Sequence, residues 1–275
     1  MLKLAATPIG NLEDITLRAL EALRAADVIY AEDTRRTLQL LNHFGIKKPL
    51  VSCRAQNEAA RAAELVPLLE AGREVVYVSD AGMPGISDPG AALVRACVAR
   101  GLPFTVLPGA SAVLTAAVLS GLPCTAFSFF GFLPRDGRAR RDAIAAVGAC
   151  GHLALLYESP RRVPATLAEL AAALGERPAA LLRELTKRFE TVERGTLPEL
   201  AARFAGEPPL GECVIAVLCA RAPAHPAAEA DALDAALSAL LAAGLSVRDA
   251  AAEAAKAAGT SKKAAYARAL ALRDG

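Results

Sequence analysis

The segment Ser79-Asp80-Ala81-Gly82-Met83-Pro84-Gly85-Ile86-Ser87-Asp88-Pro89-Gly90 puts three glycines, two prolines and two aspartates into twelve residues. Such a stretch can be neither a helix interior nor an inner strand. It follows the apolar run Val75 to Ser79 and precedes a helical pattern from Pro89 to Arg100, so it lies where open α/β sheets hold their ligands. Its aspartates could accept hydrogen bonds from ribose hydroxyls or amines, and Gly82 and Gly85 could let backbone come close to a ligand. Asp88 could equally cap the following helix. Thr7-Pro8-Ile9-Gly10-Asn11 ends the first apolar run, and Leu107-Pro108-Gly109-Ala110-Ser111-Ala112 opens into a helix of small residues. Neither the phosphate-cradling G-x-x-x-x-G-K-[ST] nor the dinucleotide G-x-G-x-x-G spacing occurs in these loops, which disfavours ATP, NAD and a dehydrogenase.

Basic residues form a second set of candidates. Of 31 Lys and Arg, 24 are Arg, the side chain suited to bidentate phosphate contacts, although the net charge is only +2. Arg35-Arg36 follows Glu32-Asp33 at a strand end, where the acids could cap a helix and the arginines grip phosphate. Arg135, Arg138, Arg140 and Arg141 stand against one Asp after Pro134, and Arg161-Arg162 follows Pro160. These patches could bind phosphate or simply be exposed helix starts. Lys262, Lys263, Arg268 and Arg273 with Tyr266 occupy the tail; six basic and five acidic groups between 231 and 275 leave a packing or dimer role there open.

The elements that must position these residues follow a βαβ rhythm. Strands are expected at Leu2 to Ala6, Val28 to Ala31, Val75 to Ser79 and Phe104 to Leu107. Helices are expected at about Thr16 to Ala25, Asn57 to Glu70, Pro89 to Arg100 and Ala110 to Leu119. Beyond Pro123, Phe127 to Phe132, Leu153 to Tyr157, Ala180 to Leu185, Thr191 to Gly195 and Cys213 to Cys219 read as strands with fewer helices between them. The expected organisation is an N-terminal α/β lobe over 1–108, a second over 109–221, a Pro- and Ala-rich linker over 222–230 and a helical domain over 231–275. In that domain one helix runs from Asp231 to Ala243. Ser246 caps a second that reaches Ala258, and a third spans Lys262 to Leu272, in a helix-turn-helix-like arrangement.

At 54% hydrophobic and 22% charged over 275 residues the chain should bury a real core rather than stay disordered. No run of about 18 strongly apolar residues occurs, and the start is unlike a signal peptide, so a cytoplasmic protein without a membrane span is expected. Six scattered cysteines without a C-x-x-C, and three histidines, argue for free thiols and no metal site.

Thr-Pro-Ile-Gly-Asn-Leu-Glu-Asp-Ile-Thr (7–16), Ala-Glu-Asp-Thr-Arg (31–35) and the 79–90 loop occur together and in order. With Pro-Gly-Ala-Ser (108–111), Gly-Phe-Leu-Pro (131–134), Tyr-Glu-Ser (157–159), Arg-Glu-Leu-Thr-Lys (183–187) and Ser-Lys-Lys (261–263), the chain resembles the bacterial ribosomal RNA small subunit methyltransferase I family over nearly its full length. Gln56 stands where that family would carry a His, and Met83 and Gly85 where Thr and a larger apolar residue are usual. The resemblance implies a two-lobed tetrapyrrole methylase fold, two αβα lobes with a cofactor cleft between them, plus the small C-terminal helical domain. It also implies an S-adenosylmethionine-dependent homodimer that methylates the ribose 2′-hydroxyl of a cytidine in the decoding region of 16S rRNA, within the small ribosomal subunit. The implied cofactor contacts are Ser79, Asp80, Ala81, Gly82, Met83, Pro84, Ile86, Ser111, Ala112, Tyr157, Glu158, Gly211, Glu212 and Val214.

A ribose hydroxyl needs a base, or a cation for its alkoxide. Glu184 and Lys187, at the end of an apolar strand, are the first candidates for it, unless they form a solvated ion-pair surface. RNA contacts are expected at Arg35, Arg36, Arg135, Arg138, Arg140, Arg141, Arg161, Arg162, Lys262 and Lys263. A small-molecule tetrapyrrole methylase is the nearest rival, but it would carry a Gly-rich loop ending in Asp after the first strand and gives no reason for the helical tail. A noncatalytic RNA-binding assembly factor is the other.

Overall fold

A computed structural model describes residues 1–219, 226–258 and 260–274, without the side chains of 226–232, 256–258 and 273–274. It divides into two compact units, Met1–Cys219 and Ala220–Gly275. Among the described residues no helix is long and apolar enough to cross a membrane.

The first unit begins with β1 (Leu2–Ala5), α1 (Leu17–Ala25), β2 (Val28–Ala31), α2 (Thr34–His43), β3 (Leu50–Ser52), α3 (Glu58–Glu70), β4 (Val75–Val78), α4 (Ala91–Arg100) and β5 (Phe104–Leu107). Its sheet has the order β3-β2-β4-β1-β5, all parallel. Every residue of β4 is buried, as a parallel strand covered on both faces requires. The direction of chain winding reverses at β1, which lies between β4 and β5, so the loops after these three strands flank the crevice where such sheets bind ligands. Local chemistry starts the helices: Thr16 accepts a hydrogen bond from the Ala19 amide at 3.1 Å and Asp33 one from the Arg35 amide at 2.9 Å.

The chain continues through α5 (Ala112–Leu119), β6 (Phe127–Phe132), α6 (Gly137–Ala149), β7 (Leu153–Glu158), α7 (Val163–Leu174), β8 (Pro178–Arg183), β9 (Thr191–Thr196), α8 (Leu197–Phe204) and β10 (Cys213–Leu218). The second sheet has the order β6-β7-β10-β8-β9, with only the β6–β7 pair parallel. Its helix content exceeds the sequence expectation, and α6 shows why: its buried face is Arg140, Ile144 and Val147, so a charged residue interrupts the apolar stripe. The α5 side chains Val113, Ala116 and Ala117 share a core with Ile9 and with Leu153, Leu155, Leu182 and Val214 of the second sheet.

In the second unit α9 (Pro226–Ala242), α10 (Val247–Ala258) and α11 (Lys262–Asp274) enclose Leu237, Ala251, Ala254, Ala255, Ala265 and Ala269. Small side chains let these helices approach closely. Ser246 caps α10 through the Asp249 amide at 3.2 Å. Of the expected 222–230 linker, 222–225 lie outside the described residues, while 226–230 form the first turns of α9. Proline is tolerated at a first helical position.

Candidate active site

The loop after β1 and the loop after β4 are stitched together by paired backbone hydrogen bonds between Thr7 and Gly82, at 3.0 and 2.9 Å. Gly82 adopts φ +77, a backbone state that glycine takes without strain. Beside this stitch a cavity of about 350 Å³ opens among the 79–90 loop, the start of α5, the end of β7 and the chain entering β10. Eleven residues expected at the cofactor line it: Ala81, Gly82, Met83, Ile86, Ser111, Ala112, Tyr157, Glu158, Gly211, Glu212 and Val214. Ser79, Asp80 and Pro84 do not. The loop turns Ser79 and Asp80 to its other side, where they line a separate, smaller cavity with Arg36.

Ile9, Ser87, Asp88, Phe132 and Leu185 also face the larger cavity, and the sequence reading missed them there. Asp88 does not cap α4. That task falls to Glu58, whose Oε1 accepts from the Gly90 and Ala92 amides at 2.7 Å each. Freed from capping, Asp88 is pushed up to about 6 by burial, with the charges of Glu32 and Asp80 adding to the effect. Tyr157 rises to about 12, again chiefly through burial. Among the described lining residues there are three carboxylates, Asp88, Glu158 and Glu212, and no Lys, Arg or His. A mostly apolar cleft with that donor set suits a cation with apolar parts and opposes phosphates.

Glu158 is the buried anchor of one wall, its side chain 1% exposed. Its Oε1 accepts from the Ser159 amide at 2.9 Å and lies 3.3 Å from Arg162 Nε; its Oε2 accepts from Thr166 Oγ1 at 2.7 Å. Arg140 completes the network by donating to Thr166 Oγ1 at 2.8 Å, Glu169 Oε2 at 2.8 Å and the Pro134 carbonyl at 3.0 Å. This corrects the RNA expectation for Arg140: at 6% exposure, with its guanidinium engaged on three sides, it has no face for phosphate. Arg162, donating to the Leu133 carbonyl at 2.9 Å, is tied into the same wall. Arg35, Arg36, Arg135, Arg138, Arg141 and Arg161 are exposed, as are Lys262 and Lys263 in the second unit. Arg35 pairs with Asp33 at 3.1 Å, and its guanidinium holds the Asp33 carboxyl down at about 2. Arg268 pairs with Asp234.

Glu184 and Lys187 sit at the rim. They do not line the cavity, but Leu185 between them and Glu212 beside them do. Glu184 (φ 53) and Thr186 (φ 63) are the two non-glycine residues in left-handed backbone among those described, a conformation that costs about 1–3 kcal/mol each. The turn is wedged between two glycines. A Cβ on Gly10 would lie 2.5 Å from Lys187 Cγ, 2.7 Å from Thr186 Oγ1 and 2.8 Å from the Leu185 carbonyl oxygen; one on Gly211 would lie 2.3 Å from Glu184 Oε1. Glu184 Oε1 accepts from the Glu212 amide at 2.9 Å and from Lys187 Nζ at 3.0 Å, and Lys187 Nζ also donates to Glu212 Oε2 at 3.0 Å. The Glu212 amide, then the Lys187 ammonium, hold Glu184 below the usual carboxylate range. Burial opposes the Lys187 charge, yet its two carboxylate partners outweigh it and raise its pKa. The pair is thus an ammonium held by anions, with Glu184 a weak base.

The family model described as Tetrapyrrole (Corrin/Porphyrin) Methylases matches residues 1–201, and one described as RsmI C-terminal HTH domain matches 226–273. A Mesorhizobium japonicum protein named ribosomal RNA small subunit methyltransferase I is 44% identical over 99% of this chain and 92% of its own. One of the same name from Thermotoga maritima is 46% identical over 76% of this chain and 94% of its own. Among solved structures, uroporphyrin-III C-methyltransferase from Thermus thermophilus, in complex with S-adenosylhomocysteine, superposes with a TM-score of 0.56 at 21% identity, covering 78% of this chain and 96% of that one.

Proposed function

The chain belongs to the ribosomal RNA small subunit methyltransferase I family of tetrapyrrole methylases, and on that premise we propose that it transfers a methyl group from S-adenosylmethionine to the ribose 2′-hydroxyl of a cytidine in the decoding region of 16S rRNA, in the cytoplasm. The observation that carries the chemistry is the larger cavity, whose lining residues bring carboxylates and apolar surface together without a cation. S-adenosylmethionine carries an ammonium, a sulfonium and one carboxylate, a net positive charge, with a ribose and a flat adenine, and its bound sulfonium would supply the methyl group. Asp88 and Glu212 would face the positive charge, Tyr157 and Ile86 would enclose apolar parts, and Gly82 and Gly211 leave room for close backbone approach.

Methyl transfer forms an O–C bond, breaks an S–C bond and releases the hydroxyl proton to solvent. Alignment supplies most of what such a displacement requires, up to roughly 7–11 kcal/mol. Lys187 is the group that stabilises the developing oxyanion, and Glu184 and Glu212 keep it charged and aimed. The strained 184–187 turn is the kind of backbone a reaction centre retains. Exposed Arg35, Arg36, Arg135, Arg138, Arg141 and Arg161, with Lys262 and Lys263, would hold phosphates. A homodimer is part of the reading, supported by apolar side chains left exposed on α5 and the β5 edge: Leu114 56%, Val118 73% and Val106 45%.

The test is transfer of labelled methyl from S-adenosylmethionine to 30S subunits and naked 16S rRNA, followed by nuclease mapping, with the solution mass of the enzyme read alongside. Alkali-resistant label at one cytidine, from a two-copy enzyme, is expected. Cofactor binding without label in either RNA would refute the rRNA reading, and a one-copy mass the dimer.

The raised Asp88 pKa gives a separate prediction. A cationic ligand favours ionised Asp88, so affinity for S-adenosylmethionine should rise as pH rises through about 6, by about tenfold between pH 5 and pH 7. Calorimetric titration of the wild type and Asp88→Asn checks it: the variant should bind more weakly at pH 7 with a flatter profile. The ligand-free fold goes the other way. The Asp88 contribution to its stability is present below the unfolded value near 3.8 and lost as pH rises through about 6.

A further inference from the structure

The loop after β4 has two faces, and only one belongs to the larger cavity. On the other face a cavity of about 200 Å³ is bounded by Thr7, Leu12, Arg36, Gln39, Leu40 and Asp80. Its wall toward the larger cavity is the segment from Ser79 to Gly82, pinned by the Thr7–Gly82 hydrogen bonds. Leu12 and Leu40 give it apolar sides, while Arg36, Gln39 and Asp80 give it a polar end. The space suits a single six-membered base and is far too small for a tetrapyrrole.

The polar end is organised rather than merely charged. Asp80 Oδ1 accepts from the Asp33 amide at 2.9 Å, and the Asp80 amide donates to Glu32 Oε2 at 3.2 Å, so two loops fix the carboxylate reciprocally. Its Oδ2 lies 3.6 Å from Arg36 Nη1, beyond hydrogen-bond distance, and keeps acceptor capacity toward the cavity. Arg36, with 65% of its side chain exposed, brings guanidinium donors next to that acceptor. An acceptor beside donors complements cytosine, which offers the N4 amino donor beside the N3 and O2 acceptors. Uracil offers O4 to the carboxylate and N3–H to the guanidinium, and both contacts repel.

Resting on the rRNA methylation reading above, we propose that this pocket receives the unstacked base of the target nucleotide and that Asp80 with Arg36 selects cytosine over uracil. A base taken out of its stack is ordinarily read on this edge. Housing it there sets its ribose against the Ser79–Gly82 wall, beside the cavity from which the methyl group comes. Asp80 is then a specificity residue and not a cofactor contact.

The test uses 30S subunits reconstituted with 16S rRNA carrying cytidine or uridine at the mapped site, and the purified full chain as wild type, Asp80→Asn and Arg36→Met, with cofactor Kd measured by calorimetry. Wild type should favour cytidine in kcat/KM by about 10- to 100-fold, the discrimination typical of a paired hydrogen-bonding contact. Asp80→Asn should lower the cytidine rate by a similar factor and bring the ratio toward one, with the cofactor Kd within about twofold of wild type. Arg36→Met should lower the ratio in the same way and stands in if Asp80→Asn fails to fold. An unchanged ratio in an active, folded variant overturns the proposal, as does loss of cofactor binding in step with activity. A wild type that methylates neither RNA overturns instead the reading beneath it.

Discussion

Arg140→Ala is expected to cost about 1–3 kcal/mol of folding stability, read as a fall in the urea midpoint, because it removes the three hydrogen bonds of a buried guanidinium. Its guanidinium bridges Thr166, Glu169 and the Pro134 carbonyl, and Thr166 in turn donates to Glu158 at the cavity wall. Without it, Thr166 loses a partner, and Glu158 keeps the half-buried Arg162 as its nearest cation. The loss is a sizeable part of the roughly 5–15 kcal/mol that a domain has. Arg138→Ala is the control, since that side chain is 88% exposed and surface changes of this kind stay within about ±0.5 kcal/mol. A loss in Arg140→Ala no larger than in the control, together with weaker RNA binding, would return Arg140 to the RNA face.

Gly10→Ala should lower kcat about 100-fold, the scale set by an ångström of misplacement at a reaction centre, while the fold persists and cofactor affinity falls by less, through Leu185 and Glu212 on the cavity wall. A methyl group there meets Lys187, Thr186 and the Leu185 carbonyl at 2.5–2.8 Å. The carbonyl cannot rotate aside, so the 184–187 turn must move, and Lys187 moves with it. Gly10 itself does not line the larger cavity. Gly206→Ala serves as the control, since a Cβ there meets nothing within 4 Å. Steady-state methyl transfer with calorimetric cofactor titration separates the two effects, and wild-type turnover in Gly10→Ala would detach the turn from the chemistry.

The sequence by itself determined the alternation of strand and helix in the first sheet, because parallel strands buried on both faces read as apolar runs such as Val75–Val78. It also determined the ligand-bearing loops, since Gly, Pro and Asp at a strand end leave few other conformations, and the joint motifs carried the family. It did not determine which way those loops face. Asp80 and Ala81 are neighbours in the chain, yet they line different cavities, because the loop bends between the two spaces and the Thr7–Gly82 pairing holds it there. Arg140 and Arg141 read alike in the sequence, but the helical rotation between them buries the first and exposes the second. Gly10 and Gly211 were ordinary turn glycines until the fold wedged the 184–187 segment between them. How Asp88 is perturbed was likewise settled in three dimensions: Glu58, remote in sequence, caps α4 in place of Asp88, and burial with the nearby Glu32 and Asp80 charges raises Asp88.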